Sequence, residues 1–318
     1  MDQVYVKSSP IGSLCLALLV CGTLWGQAQP TKPPEDRQAP PGTASRPTIQ
    51  QPPPPPPKLP DVRQQGETGW WVGIYGWLPT QKPVFDKGKG ATFTEASRVE
   101  MQGKPKYAAG AEAGFAVGLH NTLHFSYFET KASGNVESIP TTLHLWDQTY
   151  DPGTYLATNY RLQNGKVSFE YLTWPYPVES RRFRLKTLWQ IQYTSIRSTF
   201  DAPKKSIFDE NGNLILDAAG NPISYSGIGS RWFISPEFGL STTYYSGRHV
   251  RFEASAAGWT FPHHNSVWDA DASVNFKYGH VELRIGGKGF HFKTSTKSDY
   301  FSRGTMASAF VGVRWYSQ

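Results

Sequence analysis

Hydrophobic and polar side chains alternate one by one through residues 267–290, VWDADASVNFKYGHVELRIGGKGF. Successive side chains of a β-strand point to opposite faces, so this pattern predicts strands with one apolar and one charged face. The first apolar set is Trp268, Ala270, Ala272, Val274, Phe276 and Tyr278. The interleaved polar set is Asp269, Asp271, Ser273, Asn275 and Lys277. The pattern resumes after Gly279, which predicts a tight antiparallel hairpin.

The same alternation recurs along most of the chain beyond residue 66 and predicts about ten strands. Their approximate positions are 70–78, 108–119, 123–127, a segment ending at 174, 183–200, 232–244, 250–256, 268–278, a strand from 281 and 307–315. Two features weaken the pattern locally. Asn164-Gly165 has the composition of a turn, and Pro236 predicts a bulge or frayed pairing because proline lacks the amide donor.

The predicted connections alternate in length. Short turns fall near His120, Pro175, Gly247 and Gly279, whereas longer loops cover about 80–106, 131–153, 201–230 and 295–303, with a brief one at 262–266. Transmembrane barrels have short turns at one end, long loops at the other, lipid-facing apolar side chains and a polar lumen. The pattern therefore favours an all-β, antiparallel transmembrane barrel. A soluble, lipocalin-like periplasmic barrel with the two faces exchanged is the alternative.

Composition agrees with strands rather than membrane helices. Hydrophobic residues make up 38% of the 318 residues, the mean hydropathy is −0.47, and aromatic residues reach 14%. Aromatic side chains favour strands and membrane interfaces, so we expect girdles from Trp70, Trp77, Trp174, Tyr244, Trp268 and Trp315. The net charge of +7 is spread over loops and strands rather than gathered in a basic stripe, which argues against nucleic-acid binding.

Three segments are predicted along the chain. Residues 1–28 resemble a secretory signal peptide, with cleavage after Ala28, although a retained anchor or lipidation of Cys21 is an alternative. Residues 29–66 form a proline-rich periplasmic linker that is expected to be disordered and partly polyproline II. Residues 67–318 form the barrel. The two cysteines of the chain, Cys15 and Cys21, both lie within the predicted signal peptide. The mature protein is therefore expected to contain no disulfide.

These features together resemble the bacterial outer-membrane β-barrel proteins. The resemblance covers the signal peptide, the alternating strands and a final strand at 308–316, and no motif assigns a subfamily. It implies an outer-membrane location, contact with outer-membrane lipid and lipopolysaccharide, and insertion by the barrel-assembly machinery. Members of the family commonly end on an aromatic residue that this machinery reads. Here Trp315-Tyr316 is followed by Ser317-Gln318, so the terminal signal departs slightly from that pattern.

The weak candidates for catalysis are His263, His264, Asp269 and Asp271. Histidine and carboxylate side chains at a barrel rim could activate water, as in ten-stranded outer-membrane proteases. The spacing matches no protease motif, and a Ser–His lipid-modifying site is a still weaker hypothesis. The alternative interpretation is a polar loop followed by lumen charges.

A second candidate site is a network of charges on the predicted lumen face. Its members are Arg251, Glu253, Asp269, Asp271, Lys277, Glu282, Arg284 and Lys288. They could line a small selective pore. They could also pair with one another and plug the barrel, which we favour because side chains already fill barrels of about eight strands.

Two loop segments have weaker signals. Residues 209–213, DENGN, resemble part of a calcium loop but lack its glycine position and later glutamate, so Asn211-Gly212 favours a projecting β-hairpin instead. Basic loop residues could contact lipopolysaccharide phosphates, namely Lys82, Lys87, Lys89, Lys204 and Lys205. No cofactor or metal motif is found, and no feature specifies an oligomeric state. The sequence thus predicts a structural or surface-interaction role, with small-solute passage, a rim enzyme or the soluble barrel as alternatives.

Overall fold

The computed structural model describes residues 67–88, 98–101, 107–117, 120–136, 138–174, 182–206 and 209–317. The predicted signal peptide, its cleavage after Ala28 and the linker at 29–66 lie outside the described residues. Within these ranges, none of the elements is a helix long and apolar enough to cross a membrane.

The described elements are strands. In chain order they are β1 (Trp70–Trp77), β2 (Val84–Lys87), β3 (Arg98–Glu100), β4 (Ala108–Val117), β5 (Asn121–Val136), β6 (Leu143–Leu145), β7 (Gln148–Tyr150), β8 (Leu156–Trp174), β9 (Phe183–Ser206), β10 (Ser224–Tyr245), β11 (Val250–Thr260), β12 (Ser266–Tyr278), β13 (Val281–Lys293) and β14 (Tyr300–Tyr316).

Ten of these strands close into an antiparallel barrel in the order β1-β4-β5-β8-β9-β10-β11-β12-β13-β14. The barrel closes where β1 pairs with β14, from Trp71 opposite Tyr316 to Trp77 opposite Phe310. A backbone hydrogen bond from Ser317 N to Trp70 O, 2.9 Å long, continues this seam. Closure leaves the barrel without a free sheet edge, and it confirms the predicted antiparallel barrel of about ten strands.

Side-chain direction confirms the predicted polarity of the wall. On β12, Asp269 is 4% exposed and points into the lumen, whereas its neighbour Trp268 is 42% exposed and points outward. Outward positions on other barrel strands include the apolar residues Ile74, Val167 and Ile191. A soluble barrel would need the reverse arrangement, so the lipocalin-like alternative is wrong.

Five of the six predicted girdle residues have the outward direction that a girdle requires. Trp70, Trp174, Tyr244, Trp268 and Trp315 point outward near strand ends, as membrane-interface residues do. The prediction for Trp77 is wrong, because this side chain is 1% exposed and lies in the lumen. Trp70 and Trp77 are seven positions apart on one strand, and side chains an odd number of positions apart face opposite sides.

Several predicted loops contain more structure than expected. The segment 80–106 contains β2 and β3, which pair with each other and extend from β14. The segment 131–153 contains the β6–β7 hairpin, and the two ends of 201–230 belong to β9, which runs to Ser206, and to β10, which begins at Ser224. Pairing is continuous through Asn164-Gly165 and opposite Pro236, so neither the turn nor the bulge forms.

Candidate functional site: a lumen filled in two layers

The half of the lumen near the short turns is filled by paired charges. Glu112 on β4 accepts hydrogen bonds from Arg314 on β14 and Arg284 on β13, with N···O distances of 2.7 and 2.5 Å. All three side chains are nearly buried, with exposed fractions of 6–8%. One carboxylate therefore links strands from two sides of the closing seam.

Predicted lumen residues extend this cluster. Arg251 donates to Glu282 over 2.8 Å and lies 3.1 Å from Glu253, and Arg314 donates to Glu253 over 2.9 Å. Arg251 also donates to the hydroxyl of Tyr316. Four of the eight predicted lumen charges thus form one network, which Glu112 and Arg314 complete and which we call the arginine–glutamate cluster: Glu112, Arg251, Glu253, Glu282, Arg284 and Arg314.

Two further ion pairs lie beside this cluster. Arg184 at the short-turn end of β9 donates to Glu67 over 2.6 Å, and Lys186 donates to Glu170 over 2.9 Å. Arg184 is fully buried. Buried charges are tolerated when each has a partner, and these pairs meet that condition.

The remaining predicted lumen charges lie at other heights. Asp269 accepts from Lys166, while Asp271 accepts from Ser255 over 2.9 Å. Lys288 lies over the ring of Tyr75, with its ammonium 5.3 Å from the ring centroid. Lys277 is near the short turn that joins β10 to β11, where its amide donates to the carbonyl of His249 over 2.8 Å.

A cavity of about 110 Å³ remains between the charged pairs. Its walls carry both signs of charge, and Glu112, Glu170, Lys166, Lys186 and Lys288 are among the lining side chains. Polar walls of this kind favour water or a small polar solute over an apolar ligand.

The other half of the lumen is apolar. Two hairpins from the long connections, β2–β3 and β6–β7, pack aromatic and aliphatic side chains between the barrel walls. Phe85 lies against Trp146, Phe200 and Tyr300, with ring centroids 5.0–5.7 Å apart. Below them Phe128 packs edge-on against Trp77 and Phe290. We call this layer the aromatic plug.

Trp146 anchors the aromatic plug at the tip of the β6–β7 hairpin. Its Nε1 donates to Ser198 Oγ over 3.2 Å, its carbonyl accepts from the hydroxyl of Tyr300, and its ring lies 5.0 Å from the guanidinium of Arg231. Its backbone φ is +55°, a conformation that is uncommon for residues other than glycine. The tertiary contacts hold the residue in this conformation.

The catalytic candidates are not gathered into one constellation. His263 and His264 are exposed in the connection between β11 and β12, whereas Asp269 and Asp271 point into the lumen. His264 lies in the turn five positions before Asp269, whose side chain points into the lumen from β12. Within the described residues no hydrogen bond or ion pair joins these histidines to these aspartates, and the catalytic hypothesis remains a prediction.

Residues 209–221 form two successive turns of the same design. Asp209 Oδ1 accepts from the amides of Asn213 and Asn211, at 2.7 and 2.9 Å. Asp217 Oδ1 repeats this with Asn221 and Ala219, at 2.8 and 2.9 Å. These backbone hydrogen bonds lower the pKa of both carboxyl groups.

The two aspartates therefore cap turns. Across the described ranges, no three His, Cys, Asp or Glu side chains are placed to hold a metal ion.

The basic loop residues are dispersed. Lys205 pairs with Asp151 over 3.0 Å and lies over the ring of Tyr225, while Lys87 lies over Tyr300. Lys89 and the side chain of Lys204 lie outside the described residues.

The sequence interpretation missed several lumen residues, including Glu112, Lys166, Arg314 and Trp146. The sequence pattern indicates the first three, since each occupies a polar position on a strand whose apolar and polar residues alternate. Trp146 carries no such signal, because it lies on a hairpin inside a predicted loop.

Comparisons with known proteins show no family and little beyond the barrel form. No protein-family model and no curated protein matches the chain. Among solved structures, the outer membrane protease OmpT from Escherichia coli is 9% identical, with a TM-score of 0.48 over 80% of this chain and 99% of that one. The toluene transporter TodX from Pseudomonas putida is 7% identical, with a TM-score of 0.30 over 78% and 89% of the two chains. The toluene transporter TbuX from Ralstonia pickettii is 10% identical, with a TM-score of 0.30 over 79% and 91%. These superpositions are too loose to transfer a function, and the barrel assignment stands on strand pairing and side-chain direction.

Proposed function

We propose that this protein is an outer-membrane barrel with a closed lumen and a structural or surface-interaction role. The observation that carries the proposal is the filling of the lumen in two layers, with the arginine–glutamate cluster toward the short turns and the aromatic plug toward the long connections. Each layer is built from side chains of several strands, so neither depends on a single contact.

The outer wall supports the membrane location. On β12, ten residues separate outward-facing Tyr278 from outward-facing Trp268, with apolar or small side chains between them. At a tilt of about 40°, this stretch spans a height of about 25 Å, which matches the apolar band of outer-membrane barrels. Aromatic residues flank the band at both ends.

The surface role is supported by the connection between β9 and β10. Both strands continue past the neighbouring strands, and the two aspartate turns lie beyond them. Leu214, Ile215 and Leu216 between these turns, and Ile223 just after the second, are each 36–49% exposed. Exposed apolar side chains beside ordered turns are a common feature of protein-binding surfaces.

Planar-bilayer recording tests the closed lumen. The purified barrel, first shown to shift in gel mobility on boiling, should produce no discrete conductance steps, whereas a general porin in the same membranes provides the positive control. Asp269→Ala and Arg284→Ala test the pore alternative. Regular steps in the wild type whose ion selectivity changes in these variants would show that the lumen conducts and would refute the proposal.

A further inference from the structure

Three basic side chains form a row on the outer wall of the barrel. Lys131 on β5 lies directly opposite Arg161 on β8, and Arg161 lies directly opposite Arg197 on β9. All three are exposed and point away from the lumen. Like charges directly opposite each other in a sheet are destabilising. A bound anion would therefore stabilise these three residues, which we call the basic row.

The protein supplies only part of that compensation. Glu129 lies beside the row, 2.7 Å from Arg161 and 2.9 Å from Lys131. Within the described ranges, Arg197 has no carboxylate partner. The next carboxylate along the wall, Asp201, accepts hydrogen bonds from Asn159 and Ser226 instead. The basic row thus keeps a positive charge and at least one guanidinium with all its donors available.

The basic row lines a groove that can hold an oxyanion. The groove has a volume of about 380 Å³, and beyond the row it is bordered by Ser133, Asn159 and Thr199. Ser133 and Thr199 add hydroxyl donors to the ammonium and two guanidinium groups. Arginine is suited to phosphate because its planar fork can donate two parallel hydrogen bonds.

An apolar groove lies on the same wall, separated from the basic row by one polar level of Glu129, Gln163 and Ser195. Its upper edge is formed by Tyr127, Gly165 and Tyr193, which face one another in register four residues closer to the short turns than the row. Its volume is about 750 Å³, and small residues such as Ala111 and Ala113 contribute to its lining. A phosphate group above and a hydrocarbon chain below are the two parts of a phospholipid-like molecule.

The height of the basic row also fits a lipid headgroup. Ten residues of β8 separate Arg161 from Tyr171, which lies at the aromatic end of the wall near the short turns. This length is roughly 33 Å along the strand. With a tilt of about 40° it becomes a height of about 25 Å, so the row lies where the outer-leaflet headgroups begin.

We propose that Lys131, Arg161 and Arg197 bind the phosphate groups of an outer-leaflet glycolipid of the lipid A type, whose acyl chain lies in the apolar groove below. The inference rests on the outer-membrane location proposed above but not on the closed lumen. Binding is measured on purified protein in detergent, so failure to bind lipid A leaves the membrane location and the absence of conductance unaffected.

The test compares wild type with Arg197→Ala by native mass spectrometry and thermal unfolding in detergent, with lipid A as the probe. Within the described ranges Arg197 pairs with no carboxylate, so its replacement leaves no carboxylate without a partner. The variant should therefore be as stable as wild type without lipid. Loss of a hydrogen-bonded cation should weaken lipid A binding about tenfold or more. Arg248→Ala, an exposed arginine on the short turn at the opposite end, should bind like wild type.

Lipid A from which the phosphates have been removed should bind weakly to wild type and show no difference between the variants. Inorganic phosphate should not compete at millimolar concentration if the acyl chain contributes as proposed. Equal binding of lipid A by wild type and Arg197→Ala, or equal loss in Arg248→Ala, would overturn the proposal. Full competition by inorganic phosphate would reduce the site to a free-anion site and refute its lipid occupant.

Discussion

Gly229 and Trp146 show how single residues determine the aromatic plug. A Cβ atom built on Gly229 would overlap the indole ring of Trp146. Glycine is therefore required at this position on β10 because an aromatic ring rests directly on the backbone.

Replacing Gly229 with alanine should displace the indole from its site. Overpacking a filled core typically costs 1–3 kcal/mol. We expect the Gly229→Ala barrel to lose its compact gel mobility at a lower temperature than wild type, with a changed tryptophan emission spectrum.

Gly287→Ala is the matched control, since a Cβ there has no neighbour within 4 Å. A Gly229→Ala barrel that melts together with the Gly287→Ala barrel would show that the ring of Trp146 does not rest on β10.

For single residues, the sequence predicted the direction of a side chain only where successive side chains of a strand alternate between its two faces. The alternation of side chains along β1 would have placed Trp77 inside once Trp70 was assigned to the outer wall. The same alternation along β4 and β14 would also have placed Glu112 and Arg314 in the lumen. The contacts of Trp146 join residues far apart in the chain, and no local pattern encodes them.

At the scale of elements, the long connections differ in exposure. The β6–β7 hairpin is packed into the barrel, with Leu143, Leu145 and Tyr150 almost fully buried. Every residue from 209 to 223 is exposed. The two connections should therefore respond differently to an external protease.

Proteinase K added to intact cells should cut within residues 209–223 and leave two barrel fragments that stay associated until they are boiled. The β6–β7 hairpin should resist, because cleavage needs an extended, accessible chain and this hairpin is paired and packs one face against the barrel interior. Mass spectrometry of the fragments checks both expectations.

Boiled and refolding-blocked protein provides the control, since it should be cut at both connections. Cleavage of the hairpin before residues 209–223 would contradict the packing of the aromatic plug.

Strand existence was predictable, and strand ends were not. The alternation located all ten barrel strands, because one apolar and one polar face persist through the membrane. Beyond the membrane both faces of β9 and β10 carry polar residues, so the signal fades although pairing continues. The hairpins β2–β3 and β6–β7 are too short to show a period.

At the scale of the whole molecule, the arginine–glutamate cluster ties distant strands together through the lumen. Glu112 holds two arginines from β13 and β14. Removing one partner of a buried ion pair leaves the other charge uncompensated.

Glu112→Gln should therefore destabilise the barrel by about 3 kcal/mol, since Arg284 and Arg314 would lose their shared carboxylate. Urea unfolding in lipid vesicles, followed by tryptophan fluorescence, measures the difference. Glu210→Gln, which alters an exposed carboxylate on the first aspartate turn, should unfold at the same urea concentration as wild type. Equal midpoints for all three proteins would show that the cluster contributes no net stability.

The membrane barrel itself was predictable from periodicity, turn lengths and polarity. Filling of the lumen was predictable only as a preference, because pairing among Arg251, Glu253 and Glu282 depends on which strands become neighbours. The aromatic plug depends on two loop hairpins folding inward, which the local sequence does not specify.

The seam between β1 and β14 has a consequence for biogenesis. Trp71 and Tyr316, which face each other there, are separated by almost the entire barrel sequence. Contacts of such high contact order form slowly, because a very long loop must close before they are made. Until the C-terminal strand arrives, β1 and β13 each present an unpaired edge that can capture another chain. A chain that lacks β14 would keep both edges unpaired, so the truncated sheet would be prone to pair with another chain.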